Sequence, residues 1–185
     1  AQEDALAATE SPMSHEPLSI YIGCMPSHEL AVRVLIWSVL QHTRRTVRFH
    51  RIHERAVTFE LPRGAANRPG TAFSFQRFMV PELAGYRGRA LYLDSDQIVF
   101  KDVAGAFDRP MHGQAVLPTR TNTPWLRKPQ LRSSVMLLDC SRLDWDERRL
   151  VTELDAGRIT YPELFSAAQY RRGLPAPAPR LAIVS

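Results

Sequence analysis

Residues 90–96 read ALYLDSD, an apolar run that ends in two carboxylates one residue apart. A short run that is apolar on both faces predicts a buried strand in the centre of a parallel sheet. In extended backbone Asp94 and Asp96 point to the same side, so the strand would present both carboxylates at its carboxyl end. Paired carboxylates are hard ligands suited to Mn²⁺ or Mg²⁺. The plainer alternative is a polar strand end in which Asp94 caps the following turn.

On the amino-terminal side of this run, the sequence predicts a first strand and a long helix. The strand covers residues 18–22 and stops at Gly23. The helix covers residues 28–43, with Ser27 as its N-cap. Apolar residues occupy most sides of this helix, which predicts that it is largely buried. They are Leu30, Val32, Val34, Leu35, Ile36, Trp37, Val39 and Leu40.

Shorter patterns extend the alternation of strands and helices along the chain. They predict strands at residues 47–52, 115–117 and 134–138, a helix at 73–83 that breaks near Pro81, and a helix at 144–156 closed by Gly157. The polar stretch 119–132 is predicted to be a loop over the site. Such alternation favours an α/β sheet, in which parallel strands deliver their carboxyl ends to one crevice. Gly23 and Asp94 would then meet there.

The composition is that of one soluble globular domain, and its positive charge suggests an anionic partner such as nucleic acid, an anionic membrane surface or a nucleoside diphosphate. The chain has 185 residues, 44% of them hydrophobic, and a net charge of +5. Arginine carries most of the positive charge, since only Lys101 and Lys128 are lysines. Guanidinium groups bind phosphate in a bidentate manner, although a GC-rich coding sequence produces the same bias. Aromatic and basic residues are not interleaved as in RNA- or DNA-binding modules, so nucleic acid is not an expected partner.

Several residue types with potential chemistry have ordinary interpretations. Cys24 and Cys140 are predicted to be small buried side chains rather than nucleophiles. His50 and His53 are predicted to be a partly buried pair without a third ligand. No apolar run approaches the roughly 20 residues that span a bilayer, and residues 1–17 lack the features of a signal peptide. A cytoplasmic protein without a transmembrane segment is therefore expected.

The chain is predicted to contain one domain between two irregular segments. Residues 1–17 are polar and aperiodic, which predicts a disordered lead-in. The domain covers residues 18–170, and residues 171–185 form an irregular tail rich in proline.

Residues 71–96 resemble the central block of family 8-type glycosyltransferases, which have the GT-A fold. The shared features are a helix carrying an arginine, here Arg77, a turn at Pro81, a glycine-flanked strand and the DxD motif at Asp94 and Asp96. Weaker similarity extends over roughly residues 18–161. It includes a first strand and helix at 20–42 and a strand at 133–140 that would lie beneath the donor sugar. The resemblance implies a GT-A-like three-layer α/β sandwich with a mainly parallel central sheet.

The resemblance also implies an activity and a set of site residues. The activity is metal-dependent transfer of a sugar, with retention of configuration, from a UDP-sugar to a saccharide, lipid or protein acceptor. Asp94 and Asp96 would hold the Mn²⁺ or Mg²⁺ ion. The donor-binding residues would be Gly23, Cys24, Met25, Arg77, Asp94, Ser95, Ser133 and Ser134. Read without the resemblance, Arg77 could face solvent and the two serines could simply begin a strand.

The cations of the stretch 119–132 have two interpretations. They are Arg120, Arg127, Lys128 and Arg132. A solvated basic loop is favoured over phosphate contacts.

Three departures from the family pattern bear on function. The acidic residue that contacts the base in many relatives is replaced by the sequence GCMP at residues 23–26, and methionine is not a strong hydrogen-bond acceptor. The family's carboxyl-terminal histidine ligand is missing, so an active chain would need another residue, such as His112 or Asp139, to complete the site. The tail at 171–185 resembles nothing expected there, which suggests a truncated or frameshifted reading frame. A non-catalytic nucleotide-sugar-binding fragment and a haloacid dehalogenase-type phosphohydrolase therefore remain alternatives.

Overall fold

The structure, a computed structural model, describes residues 16–54, 60–121 and 130–164. These ranges contain five β-strands and five α-helices. They are β1 (Leu18–Gly23), α1 (Glu29–His42), β2 (Val47–Arg51), α2 (Val80–Leu83), β3 (Arg89–Asp94), α3 (Ala104–Phe107), β4 (Val116–Thr121), β5 (Gln130–Asp139), α4 (Glu147–Asp155) and α5 (Tyr161–Leu164). A 3₁₀ helix, Ala72–Met79, leads directly into α2.

The five strands form one sheet in the order β2-β1-β3-β5-β4. Strand β1 pairs in parallel with both β2 and β3, whereas β5 pairs antiparallel with β3 and with β4. Four of these strands therefore run in one direction, and only β5 is reversed. The sequence predictions of a mainly parallel sheet and a central β3 are both confirmed.

Helices cover both faces of the sheet, which gives the expected three layers. Alternate residues of each strand point to opposite faces, so Leu91 and Leu93 pack against α1 and α3. Ala90 and Tyr92 pack on the other face against α2 and the end of the 3₁₀ helix. A third cluster joins Phe75 and Phe78 of the 3₁₀ helix to α4 and α5. With both faces covered, residues 90–93 are completely buried.

Helix α1 differs from its prediction in which side it buries. Its buried side chains are Val32, Leu35, Ser38 and Val39. The apolar residues on the opposite side are exposed: Leu30 by 76%, Val34 by 40%, Trp37 by 61% and Leu40 by 55%. The prediction of a largely buried helix was wrong because α1 has the sheet on one side only. Ser27 is not the N-cap either, since it lies within a 3₁₀ turn, Pro26–His28, that precedes α1.

Other element boundaries shift for local reasons. The break predicted near Pro81 occurs where the 3₁₀ helix becomes α2 at Val80. Helix α4 begins at Glu147 because the Asp146 side chain caps the backbone N–H groups of Arg148 and Arg149. It ends before Gly157, whose φ of +67° suits a residue without a side chain.

The predicted loop 119–132 is partly strand. Its two ends belong to β4 and β5, which pair with each other, and residues 122–129 lie outside the described residues. Residues 1–15, 165–170 and the predicted tail 171–185 also lie outside them. No helix in the described ranges is long and apolar enough to cross a membrane.

Candidate functional site

The carboxyl ends of β1 and β3 meet at one edge of the sheet. Gly23 pairs with Asp94 in the β1–β3 register, and the backbone N–H of Ser95 donates to the Gly23 carbonyl at 3.1 Å. Strand β5 reaches the same edge: Val135 pairs with Leu93, so Ser133 and Ser134 extend past it alongside the end of β3. The structure therefore brings these predicted residues together at one edge.

Two side chains hold Asp94 in place at this edge. Its Oδ1 accepts a hydrogen bond of 2.6 Å from the Tyr92 hydroxyl and one of 3.2 Å from Arg77 Nη2. Arg77 is only 5% exposed; its Nε donates to the Ser74 carbonyl and its Nη1 to Ser133 Oγ. Its guanidinium carbon also lies 5.1 Å from the centre of the Tyr92 ring. Arg77 therefore faces inward, and it links the central strand to β5.

Burial dominates the electrostatics of this cluster. Burial raises the pKa of Asp94 above its ordinary value of 3.8, and the nearby Asp96 carboxylate adds to the rise, while Arg77 and Tyr92 partly offset it. Burial also raises the pKa of Tyr92 well above 10.0, so its hydroxyl is a donor at neutral pH. Burial and a second carboxylate both make Asp94 costly to ionise. A bound cation would lower that cost.

Asp96 occupies a different environment from Asp94. Strand β3 ends at Asp94, and Ser95 and Asp96 form a turn closed by the Gln97 N–H and the Asp94 carbonyl at 3.2 Å. The assumption of extended backbone through Asp96 was therefore wrong. The Asp96 side chain is exposed and accepts a hydrogen bond from the Gln97 amide. The turn leaves its carboxylate open to solvent, next to the one held at Asp94.

The two carboxylates are of the ligand type that a hard divalent cation takes. In Asp94, both bonds to described residues go to Oδ1, and no described residue donates to Oδ2. Asp96 adds an exposed oxygen donor, and such a pair leaves coordination positions for phosphate oxygens and water. Within the described ranges, no group of three or more His, Cys, Asp or Glu residues is arranged to hold a metal ion.

Gly23 has a steric role at this edge that the sequence did not reveal. A Cβ at this position would overlap the Tyr92 hydroxyl and lie 2.8 Å from Tyr92 Cζ. The phenol therefore occupies the space that a side chain at position 23 would need. Gly23 itself is buried.

The backbone after β1 is held by side chains that sequence reasoning missed. The Gln76 amide accepts from the Cys24 N–H at 2.9 Å and donates to the Cys24 carbonyl at 3.0 Å. His28 Nδ1 accepts from the Met25 N–H at 3.3 Å, and it lies 3.1 Å from Ser95 Oγ. Because a backbone N–H can only donate, Nδ1 is the acceptor, and the Ser95 hydroxyl donates to it. These contacts fix residues 24–25 and join them to the DxD turn.

The two cysteines are buried and the two histidines are partly buried, as predicted. Cys24 and Cys140 are free and buried, and burial raises the pKa of Cys24 and raises that of Cys140 to about 12. His50 stacks on Tyr21 with ring centres 4.4 Å apart. His53 Nδ1 lies 2.9 Å from Cys24 Sγ, a contact that the sequence did not suggest.

Two residues considered as further ligands lie at the wrong edge. Asp139 pairs with Arg89 at the amino end of β3, five residues from Asp94, or roughly 16 Å along a strand. His112 precedes β4, which begins beside Leu138 near that same end. Neither can complete a metal site at Asp94.

The structure describes only one basic side chain of the stretch 119–132. Arg132 is exposed, Arg127 and Lys128 lie outside the described residues, and nothing is described of the Arg120 side chain. The favoured interpretation, a solvated basic stretch, stays a prediction.

Solved structures of glycosyltransferases share this fold. The galactosyltransferase LgtC, in complex with donor and acceptor sugar analogues, matches with a TM-score of 0.56 and 14% identity over 86% of this chain and 67% of LgtC. An active-site mutant of LgtC gives a TM-score of 0.60 at 14% identity, over 84% and 71% of the two chains. The glycosyltransferase GlyE of Streptococcus pneumoniae TIGR4 gives 0.56 at 13% identity, over 85% of this chain and 44% of GlyE.

Sequence comparison adds no closer assignment. No protein-family model matches the chain, and no curated protein sequence matches it at a significant level. The chain spans less than half of GlyE and about two thirds of LgtC. At these identities the likeness establishes architecture alone: the chain has the α/β fold of the GT-A glycosyltransferases.

Proposed function

We propose that this chain is the nucleotide-sugar-binding domain of a family 8-type glycosyltransferase. The reaction would transfer a sugar, with retention of configuration, from a UDP-sugar to a saccharide, lipid or protein acceptor. The observation that supports this most is the meeting of Asp94, Arg77 and Ser133 at the carboxyl ends of the central strands of a GT-A fold. Open α/β sheets bind ligands at that edge.

Asp94 and Asp96 would hold the divalent cation of this reaction, Mn²⁺ or Mg²⁺. When bound, the cation would offset the negative charge of the diphosphate as it leaves. The protein contributes one carboxylate fixed by Arg77 and Tyr92 and one on an exposed turn. With one fixed and one exposed carboxylate, the metal site would be complete only when the diphosphate supplies further oxygen ligands.

The donor would lie across the ends of β1, β3 and β5. Ser133, Ser134 and Ser95 border the sugar and diphosphate region in this proposal, and Arg77 supports it from below because its guanidinium is bonded to Asp94 and Ser133.

The base would lie near Cys24 and Met25. Gln76 holds both backbone polar groups of Cys24, and His28 holds the Met25 N–H. These groups are therefore not available to read a base edge. We expect UDP to bind best, but with weak discrimination against GDP.

Titration calorimetry on the 185-residue chain tests the site. UDP should bind with Mn²⁺ and much more weakly in EDTA. Asp96→Asn should weaken Mn²⁺-dependent UDP binding about tenfold or more, since a charge-assisted contact contributes about 1.5–3 kcal/mol. The matched control is Asp144→Asn, which removes a carboxylate whose side chain is 93% exposed on the segment before α4. Equal UDP binding in EDTA, or equal effects of the two variants, would disprove the metal role.

Product analysis separates transfer from binding. We expect this chain to release UDP slowly from a UDP-sugar by hydrolysis, with little or no sugar transfer, because the proposed metal site has only two protein ligands. Anomeric configuration of any transferred sugar, followed by NMR, tests retention. Metal-dependent binding without turnover would support the alternative of a nucleotide-sugar-binding fragment, and rapid transfer would mean that two carboxylates suffice.

A further inference from the structure

Tyr92 makes a contact at the candidate site that no sequence motif assigns to it. The side chain is completely buried in β3, yet its hydroxyl donates to Asp94 Oδ1 at 2.6 Å. Tyr92 and Asp94 are two residues apart on one strand, so their side chains leave the same face. The phenol therefore lies along the strand and reaches the carboxylate at the strand's end.

The space for this hydroxyl exists because position 23 is glycine. Gly23 pairs with Asp94 on the neighbouring strand, and a Cβ there would overlap the hydroxyl and crowd Tyr92 Cζ at 2.8 Å. The Tyr92 side chain of β3 therefore occupies the space beside the end of β1 that a side chain at position 23 would fill. Gly23 has no positive φ that would require glycine, so close approach is the physical reason for a glycine at this position.

The contact leaves one oxygen of Asp94 without a described donor. Oδ1 accepts from both Tyr92 and Arg77, and Arg77 is itself anchored by Ser74 and Ser133. None of the described residues donates to Oδ2. The Asp94 side chain is 15% exposed, so it is not fully enclosed by the fold.

We propose that Tyr92 is a positioning residue: its hydroxyl, seated in the slot left by Gly23, turns the Asp94 carboxylate so that Oδ2 alone binds the divalent cation. The inference rests on the proposed function and adds the orientation of its ligand. Oδ1 is committed to Tyr92 and Arg77, so coordination by Asp94 is monodentate. Hydrogen bonds to ligating carboxylates orient the ligand, and their loss costs about 10- to 100-fold in metal affinity or activity.

A role in packing alone makes a different prediction. Tyr92→Phe keeps the ring in its buried position and keeps the face that lies against Arg77. It removes only the hydroxyl, so a packing role would leave metal affinity unchanged. Tyr86→Phe is the matched control, because the Tyr86 hydroxyl also makes a hydrogen bond, to the Trp145 carbonyl at 3.1 Å, away from the site.

The test is a Mn²⁺ titration at saturating UDP on wild type, Tyr92→Phe and Tyr86→Phe, read by calorimetry and by the electron paramagnetic resonance signal of free Mn²⁺. We expect Tyr92→Phe to weaken Mn²⁺ binding about tenfold or more and Tyr86→Phe to leave it unchanged. If wild type and Tyr92→Phe bound Mn²⁺ with equal affinity, the positioning role would be overturned and the proposed function would stand. No Mn²⁺-dependent UDP binding by wild type would overturn the proposed function and this role with it.

A crystal structure of the wild-type chain with Mn²⁺ and UDP provides a second test that needs no variant to fold. The expected result is Mn²⁺ on Asp94 Oδ2, with Tyr92 still within hydrogen-bond distance of Oδ1. Bidentate coordination by Asp94, or a Tyr92 hydroxyl that has left the carboxylate, would overturn the proposal.

Discussion

Strand β3 and helix α1 have equally apolar sequences, but the fold buries them differently. Residues 90–93 of β3 are completely buried, whereas Leu30 and Trp37 of α1 expose 76% and 61% of their surface. The strand is the third of five and has helices over both faces. The helix lies in an outer layer and contacts the sheet on one side. Burial therefore follows the number of layers around an element, which its own sequence does not specify.

The same contrast holds for the ion pairs of the two elements. Arg77 and Asp94, at the end of β3, have side chains that are 6% and 15% exposed. Arg33 and Glu29, on α1, have side chains that are 72% and 42% exposed, although their 2.7 Å contact is shorter. Distance alone would rank the helix pair first. Burial reverses that order, because water screens the exposed helix pair much more strongly than the buried strand pair.

Replacement of one leucine in each element should give the largest difference. Leu91→Ala removes a completely buried side chain and should lower the free energy of unfolding by about 4 kcal/mol. Leu30→Ala removes an exposed one and should change it by less than about 0.5 kcal/mol. Urea unfolding followed by circular dichroism measures both. Similar losses would mean that something covers the outer face of α1.

The two arginines provide the next comparison. Arg77→Met should lower the free energy of unfolding by about 3 kcal/mol, since it leaves the buried Asp94 carboxylate without its ion-pair partner. Arg33→Met on the exposed pair should cause no measurable loss. The same urea titrations apply. A stable Arg77→Met protein would imply that water or a rearranged side chain takes over the interaction with Asp94.

These contrasts show which parts of the fold the sequence could predict. The apolar run 90–93 predicted a central strand correctly because a strand that is apolar on both faces must be covered on both. The periodicity of residues 28–43 predicted the α1 helix correctly but not its buried face. The stripe of Leu30, Val34 and Trp37 has the same helical spacing as that of Val32, Leu35 and Val39.

The candidate site divides in the same way. Its carboxylates and Arg77 are recognisable in a local motif. The contacts that hold them are not, because they join distant parts of the chain: Gln76 is 52 residues from Cys24, and His28 is 67 from Ser95. The Tyr92 contact is local in sequence, but the slot that admits it comes from Gly23 on another strand. Only the assembled sheet edge reveals these residues.

The carboxylates of the two ion pairs should respond to pH in opposite directions. Burial raises the pKa of Asp94 above 3.8. The contribution of Asp94 to the free energy of unfolding is therefore complete below pH 3.8 and is lost as pH rises through the folded pKa. The hydrogen bond from Arg33 lowers the pKa of Glu29 below 4.5, so its contribution is present above that value and is lost as pH falls through the folded pKa.

Two variants isolate these effects. Between about pH 3 and pH 6, the stability of wild type relative to Asp94→Asn should fall as pH rises, and that of wild type relative to Glu29→Gln should rise, with the smaller slope for the exposed Glu29. Urea unfolding at several pH values measures both slopes. Slopes of the same sign would show that Arg77 lowers the pKa of Asp94 by more than burial raises it.

Trp37→Ser should give the smallest change in stability and the clearest test of the exposed face of α1. The indole is 61% exposed and its neighbours Val34 and Leu40 are exposed as well, so its removal should change the free energy of unfolding by less than about 0.5 kcal/mol.

Fluorescence provides an independent measurement of the exposure of Trp37. The emission lost in Trp37→Ser, obtained by subtraction from wild type, should come from an indole that acrylamide quenches readily. Trp145→Phe is the contrasting variant, because Trp145 packs against Phe78 with ring centres 5.1 Å apart, and its emission should be better protected. If the Trp37 component were instead protected and its loss cost more than about 1 kcal/mol, the outer face of α1 would be a covered surface. The contrast between β3 and α1 would then belong to the isolated chain and not to the protein in solution.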